Sequence, residues 1–204
     1  QLMQHPKFNP EEVTKIIRGR RSQFPAQFKE NDPVADSIIE EILENANWAP
    51  TQKLTQPWRF IVYTGAGLKT FGDYQAEMYK MRAEKNGTPF LEGTYQKFKD
   101  TPSKASHVIA LLMKRTEGSG IPVMEEISAV AMAVQNMYLT ACAHGLACYW
   151  GTGGPTFWAE AREDFGLEGE DMLMGFFYVA KPATDNWPAG KREPIAEKVN
   201  WVRE

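Results

Sequence analysis

The sequence predicts an α+β fold: a small central mixed or antiparallel β-sheet flanked by helices, with one long buried helix and an extended C-terminal tail. Three observations predict it. Helical and strand patterns mix in the order ααβααβαβαβ, without the strict βαβ alternation of a doubly wound sheet. A 33-residue stretch from Ile127 to Ala159 contains no Asp, Glu, Lys or Arg. A helix that is apolar on nearly all sides must be covered on nearly all sides. Finally, 204 residues with 43% hydrophobic and 12% aromatic content suit one globular domain over 1–204, with 181–204 as its tail.

The elements follow in order. Asn9-Pro10-Glu11-Glu12 opens the first helix, with Asn9 as N-cap and Pro10 at the first helical position. Val13, Ile16 and Ile17 form its apolar stripe, and it runs out at Gly19. A second amphipathic helix spans Ala35 to Trp48, with Ile38, Ile39, Ile42, Leu43 and Ala46 on one face, and Pro50 stops it. The polar loop Thr51–Pro57 leads into a strand at Trp58–Tyr63. Residues 66–99 read as two helices with much solvated surface, broken by Asn86-Gly87 and Gly93. His107–Lys114 is apolar enough for a strand buried on both faces. The long helix runs from about Pro122 to His144 and closes at Gly145. Leu146–Trp150 is a short strand, Gly151–Pro155 a tight loop, Phe157–Phe165 a helix and Met172–Ala180 the last strand.

Composition excludes several classes. The net charge of −3 gives no basic footprint for general nucleic-acid binding. No apolar run approaches the 18 or so residues that span a bilayer. The opening Gln1-Leu2-Met3-Gln4-His5-Pro6 has no signal-peptide core, so a cytoplasmic location is expected. Cys142 and Cys148 read as buried free thiols of a reducing compartment. His5, His107 and His144 show no metal-ligand spacing and read as structural, so no metal site is expected.

Four short signals carry chemistry. Arg20-Arg21-Ser22 places two guanidinium forks beside a hydroxyl, a donor set for phosphate. Gln52 and Gln56 bracket a loop with amides able to donate and accept along a heterocycle edge. Trp150-Gly151-Thr152-Gly153-Gly154 lets backbone N–H groups approach a ligand closely. Lys191-Arg192-Glu193-Pro194 adds a cation from the tail. Singly, each reads more readily as a solvated turn, a polar loop or a charged terminus.

Together, their order resembles the nitroreductase family of FMN-dependent flavoproteins, in its short-chain branch. The family's Arg-Arg-Ser type triplet is matched by Arg20-Arg21-Ser22. Its Ala-Pro-Ser-x-x-x-x-Gln-Pro-Trp type block is matched from Ala49-Pro50-Thr51 to Gln56-Pro57-Trp58. His144-Gly145-Leu146, Trp150-Gly151, Gly175-Phe176-Phe177-Tyr178-Val179 and Lys191-Arg192-Glu193-Pro194-Ile195 follow in the family order. The resemblance implies FMN as cofactor, NADH or NADPH as electron donor, and a homodimer whose tails wrap the partner, with FMN sites at the interface. It implies that Arg20, Arg21, Ser22 and Arg192 hold the phosphate and ribityl chain. Gln52 and Gln56 would reach the flavin of the other subunit, and Trp150, Gly151 and Thr152 would line the ring. It implies ping-pong hydride transfer to an electron-poor acceptor (nitroaromatic, quinone or enone), the flavin carrying the chemistry with no indispensable side-chain acid or base. The alternatives are a same-fold flavoprotein that dehydrogenates its substrate or uses oxygen, and a non-catalytic FMN-binding protein. Leu54 stands where many relatives carry Asn. Residues 66–106 hold no readable motif and are where substrate choice is expected.

Overall fold

A computed structural model describes residues 5–204; Gln1–Gln4, where the signal-peptide reading begins, lie outside the described residues. The elements are α1 (Pro10–Gly19), α2 (Asp36–Asn47), β1 (Trp58–Thr64), α3 (Ala66–Asn86), α4 (Glu92–Asp100), β2 (His107–Met113), α5 (Val123–Ala143), β3 (Ala147–Gly151) and β4 (Met172–Ala180). The strands form one sheet in the order β1-β2-β4-β3. Every pairing is antiparallel, which decides between the mixed and antiparallel arrangements.

The central strand β2 is buried at every position. Strand periodicity splits its side chains between two apolar layers. Ile109, Leu111 and Met113 join α2 and α5 on one face, whereas Val108, Ala110 and Leu112 join Leu68, Phe71 and Met78 of α3 on the other. The β2–β4 register slips between Leu111 and Leu112, so Leu111 faces Gly175 and Leu112 faces Leu173. Gly175 has φ +120°, and a Cβ there would lie 2.5 Å from the Gly151 carbonyl oxygen and 2.6 Å from Trp150 Nε1. Only glycine fits that backbone and that gap.

Helix α5 buries Ala129, Val130, Ala133, Val134, Met137 and Ala141 against the sheet and α2. Its other side carries Met124 and Met132, 73% and 40% exposed, with Ser128 between them and Gln135 a turn beyond. The long helix is therefore central, but one face is open in the single chain. Helix α1 starts as predicted, with Asn9 Oδ1 accepting from the Glu11 N–H at 2.9 Å. None of its residues is buried, and its apolar Val13 and Ile17 face outward.

Two sequence expectations are corrected. Phe157–Phe165 is not an α-helix but 3-10 turns at Gly154–Phe157 and Ala159–Ala161. Pro155 opens the segment and Gly166, at φ +64°, closes it. The segment closes instead through i to i+3 bonds, such as Trp158 N–H to the Pro155 carbonyl at 3.1 Å, while Ala161, Phe165 and Leu167 seat on the sheet. Gly87 ends α3 in the left-handed conformation, but Gly93 breaks nothing and lies within α4.

The tail first runs along residues 19–29. Lys29 N–H donates to the Lys181 carbonyl and Ala183 N–H to the Gln27 carbonyl, both at 2.8 Å, and Trp187 Nε1 donates to the Gly19 carbonyl at 2.6 Å. Beyond Gly190 every residue is exposed, including Ile195, Trp201 and Val202. Among the described residues no helix is long and apolar enough to cross a membrane.

Candidate functional site

The end of α1 delivers the Arg-Arg-Ser triplet to the outer edge of β3. Arg20 N–H caps the helix on the Ile16 carbonyl at 3.0 Å, and the chain then extends. Gln23 N–H donates to the Cys148 carbonyl at 3.0 Å, which covers part of an otherwise open edge strand. The Arg20 guanidinium lies 4.8 Å from the centroid of the Tyr138 ring. The Tyr138 hydroxyl accepts the Trp150 N–H at 2.7 Å and shares a hydrogen bond with Ser22 Oγ at 3.1 Å. One tyrosine of α5 thus gathers Arg20, Ser22 and Trp150. Sequence reasoning passed over it as an apolar helix residue. The available signal was a phenol inside a helix that must be buried, since such a hydroxyl needs a partner.

Arg21 has a second task. Its Nε donates to the Pro188 carbonyl at 2.8 Å, and its Nη1 to the carbonyls of Arg18 and Arg20 at 2.6 and 2.8 Å. A Cβ on Gly190 would lie 2.1 Å from Arg21 Nη2. The guanidinium therefore pins the tail two residues before Arg192, which is exposed and bonds only to the Lys191 carbonyl. Among the described residues, Arg20, Arg21 and Arg192 have no carboxylate partner, while Lys29, Lys85, Lys114, Lys181, Arg82 and Arg115 all have one. Unneutralised guanidinium groups beside a hydroxyl fit the phosphate of a nucleotide cofactor. Burial pushes the nearby Cys142 thiol up despite the opposing pull of Arg20 and Arg21.

Gln52 and Gln56 lie elsewhere. Their loop is strained: Lys53, Leu54 and Gln56 have φ of 50°, 54° and 47°. Such residues cost on the order of 1–3 kcal/mol each and persist only where surroundings fix them. Thr51 Oγ1 accepts the Gln56 N–H at 3.2 Å and pairs with Thr55 Oγ1 at 3.1 Å, and Lys53 Nζ donates to the Ser119 carbonyl at 3.0 Å. Leu54 is 77% exposed. Gln52 borders an open cavity of about 690 Å³ against Met124, Ser128 and Met132 of α5. From Ser128 to Tyr138 is about 15 Å along the helix. One chain does not bring Gln52 to Arg20 and Ser22.

At the end of β3, Trp150 Nε1 donates to the Met174 carbonyl at 2.7 Å and fixes the indole. Gly151 ends the strand and Thr152 is exposed. Gly151, Gly153 and Gly154 border a cavity of about 380 Å³ with Phe98, Tyr149 and Phe176. The Tyr149 phenol is pushed up to about 12, chiefly by burial, and burial raises Tyr178 as well. Neither ionises near neutrality. His107, read as structural, holds Ser106 Oγ through Nδ1 and Asp36 through Nε2, both at 2.9 Å, and ties β2 to the start of α2.

The antiparallel sheet packed on a long central helix thus carries, at one edge, guanidinium groups without carboxylate partners and a glycine turn. The profile of the Nitroreductase family matches residues 17–181, and the chain belongs to that family. It is 28% identical over 189 residues to YfhC of Bacillus subtilis, whose name marks it as a candidate NAD(P)H nitroreductase, with 90% of each chain covered. YdjA of Escherichia coli, similarly named, is 27% identical over 84% of this chain and 88% of its own. Among solved structures, a nitroreductase-like family protein from Bacillus cereus superposes with a TM-score of 0.76 at 24% identity, covering all of both chains. The FMN-dependent nitroreductase NfnB of Mycobacterium smegmatis, solved with NADPH, superposes with a TM-score of 0.66 at 20% identity over 95% of this chain and 99% of its own. At those identities the likeness establishes the fold.

Proposed function

We propose that this protein is an FMN-dependent NAD(P)H oxidoreductase, a single cytoplasmic domain working as a homodimer. The observation that carries the reading is the Arg20 guanidinium, without a carboxylate partner, joined with Ser22 through Tyr138 to the glycine-rich end of β3. Family membership supports it, as do relatives named for NAD(P)H and a fold neighbour from Desulfovibrio desulfuricans solved with FMN.

Bound FMN would supply hydride-transfer chemistry between NADH or NADPH and a nitroaromatic, quinone or enone, in a ping-pong sequence. The chain's own residues bind and orient. Arg20 and Ser22 would hold the phosphate and ribityl chain, with Arg21 and Arg192 adding charge where the tail returns. The backbone of Trp150, Gly151 and Thr152 would line the ring, its position fixed from behind by Tyr138 and the Met174 carbonyl. Gln52 and Gln56 would reach the flavin of the second copy, consistent with their distance from Arg20 in their own chain. The dimer reading is further supported by the open face of α5, the outward apolar stripe of α1 and the apolar residues of the exposed tail, surfaces that a second copy would cover.

The test is an absorbance spectrum of the purified protein, followed by NADH or NADPH in the same cuvette under argon. A flavin spectrum that bleaches is the expected result. A spectrum that stays unchanged points to a substrate dehydrogenase or a flavin-binding protein without turnover, and a protein that stays colourless after FMN is added refutes the cofactor assignment.

A further inference from the structure

We propose that the cavity between α4 and the β3 edge takes a planar aromatic molecule bearing an anionic group, and that Lys97 selects for the charge; this rests on the oxidoreductase reading for its role as acceptor subsite. The cavity, about 380 Å³, is of the size of small-ligand sites. Its walls are aromatic and held in place. Phe98 packs at 5.5 Å between centroids against both Tyr79 and Trp158. Tyr149 stacks on Tyr178 at 4.8 Å with 21° between the rings. Buried Gln75 ties α3 to α4 by donating from Nε2 to the Phe98 carbonyl at 2.6 Å, while its Oε1 lies over Gly154. The floor is bare backbone at Gly151, Gly153 and Gly154, the same turn that would face the flavin ring. Such walls favour a flat aromatic guest, because ring stacking and edge contacts add to area burial.

The charge at the rim is one-sided. Lys97 borders the cavity and no carboxylate does. Lys97 also has no ion-pair partner among the described residues, whereas Lys99 pairs with Asp73, Lys85 with Glu160 and Lys114 with Asp171. An unpaired ammonium at the mouth of an aromatic slot attracts an anionic substituent and leaves the apolar body to the walls.

The experiment is calorimetric titration of the flavin-loaded protein at low salt with 4-nitrobenzoate and its neutral counterpart 4-nitrobenzamide. The expected result is about fivefold tighter binding of the benzoate, the upper range for an exposed ion pair, narrowing as salt is added. Lys97→Met removes the preference by weakening the benzoate alone, Lys99→Met keeps it, and Phe98→Ala weakens both ligands together. Equal affinities in the unmodified protein, no binding of either ligand, or a preference that survives Lys97→Met overturns the proposal. The same titrations on the flavin-free chain separate the two readings: a protein that holds no flavin yet shows the Lys97-dependent preference loses the oxidoreductase reading and keeps the anionic aromatic site.

Discussion

Tyr138→Phe removes one oxygen and keeps the ring, so it isolates the hydroxyl that joins α5 to β3. The phenol accepts the Trp150 N–H at 2.7 Å and shares a bond with Ser22 Oγ at 3.1 Å. Ser22 is half-buried and can turn to water, but the Trp150 N–H sits on the strand edge under the Tyr138 side chain and loses its acceptor. A hydrogen bond of this kind contributes about 0.5–1.5 kcal/mol net, so a loss of about 1 kcal/mol is expected. For a chain of this length each kcal/mol moves the melting temperature by about 2–4 °C, which gives a drop of about 2–4 °C. The ring remains under the Arg20 guanidinium, so the cation–π contact survives. What changes is the placement of Ser22 and of the Trp150 backbone, and FMN should bind about tenfold more weakly, equivalent to 1.4 kcal/mol. Thermal melts of the flavin-free protein and titration of flavin fluorescence read the two quantities separately. Adding Ser22→Ala to Tyr138→Phe should cost less than the sum of the single changes, since the two residues share one bond. A variant that melts and binds FMN like the parent would show that the hydroxyl positions nothing.

Arg20→Ala should cost about 2 kcal/mol of FMN affinity, roughly thirtyfold, by removing a charged donor; undiminished retention of flavin on dialysis would remove Arg20 from the phosphate site. Ending the chain at Gly190 keeps the bonds that dock residues 181–188 onto their own chain and deletes Arg192, Ile195, Trp201 and Val202. That truncation should shift the protein toward monomer in sedimentation analysis while it still folds, and an undiminished dimer would contradict the wrapping tail. Burial would raise the pKa of Asp171, but Lys114 and the N–H groups of Glu168 and Arg115 prevail and hold it below its ordinary 3.8. Its contribution is thus full above that value and lost as pH falls through the lower folded one, so the parent should lose stability below about pH 4, and Asp171→Asn should flatten that limb of the denaturation profile. Burial pushes the Cys148 thiol up to about 12, so a thiol reagent at pH 8 should leave Cys148 unmodified in the native protein and reach both cysteines only in denaturant.

The elements that were legible in the sequence had one dominant local cause. The Asn9-Pro10 start of α1, the continuous apolar run of β2 and the stop at Pro50 each follow from a short-range rule, and the structure reproduces them within a residue or two. The segment 157–165 was misread because its helical spacing is real, yet it closes through i to i+3 bonds into separate 3-10 turns. In the candidate site, the residue types were legible and their partners were not. Tyr138 is 116 positions from Ser22, and nothing local announces that contact. Nor does spacing show that Arg21 spends its donors on the carbonyl of Pro188. The placement of Gln52 against the outer face of α5 depends on how α5 lies across the sheet, which composition does not encode.

Gly175 carries a consequence for how the sequence can drift. Its missing side chain leaves the only room for the Trp150 indole and the Gly151 carbonyl in the neighbouring strand, and its φ of +120° is closed to other residues without strain. A methyl group at 175 would leave β4 intact in hydrophobicity and still displace both neighbours across the ladder. Positions 150 and 175 are therefore one unit of inheritance: a larger residue at 175 is admissible only with a smaller ring at 150 and a backbone moved away from the Gly151 carbonyl, and such a lineage would be recognised by the two substitutions arriving together.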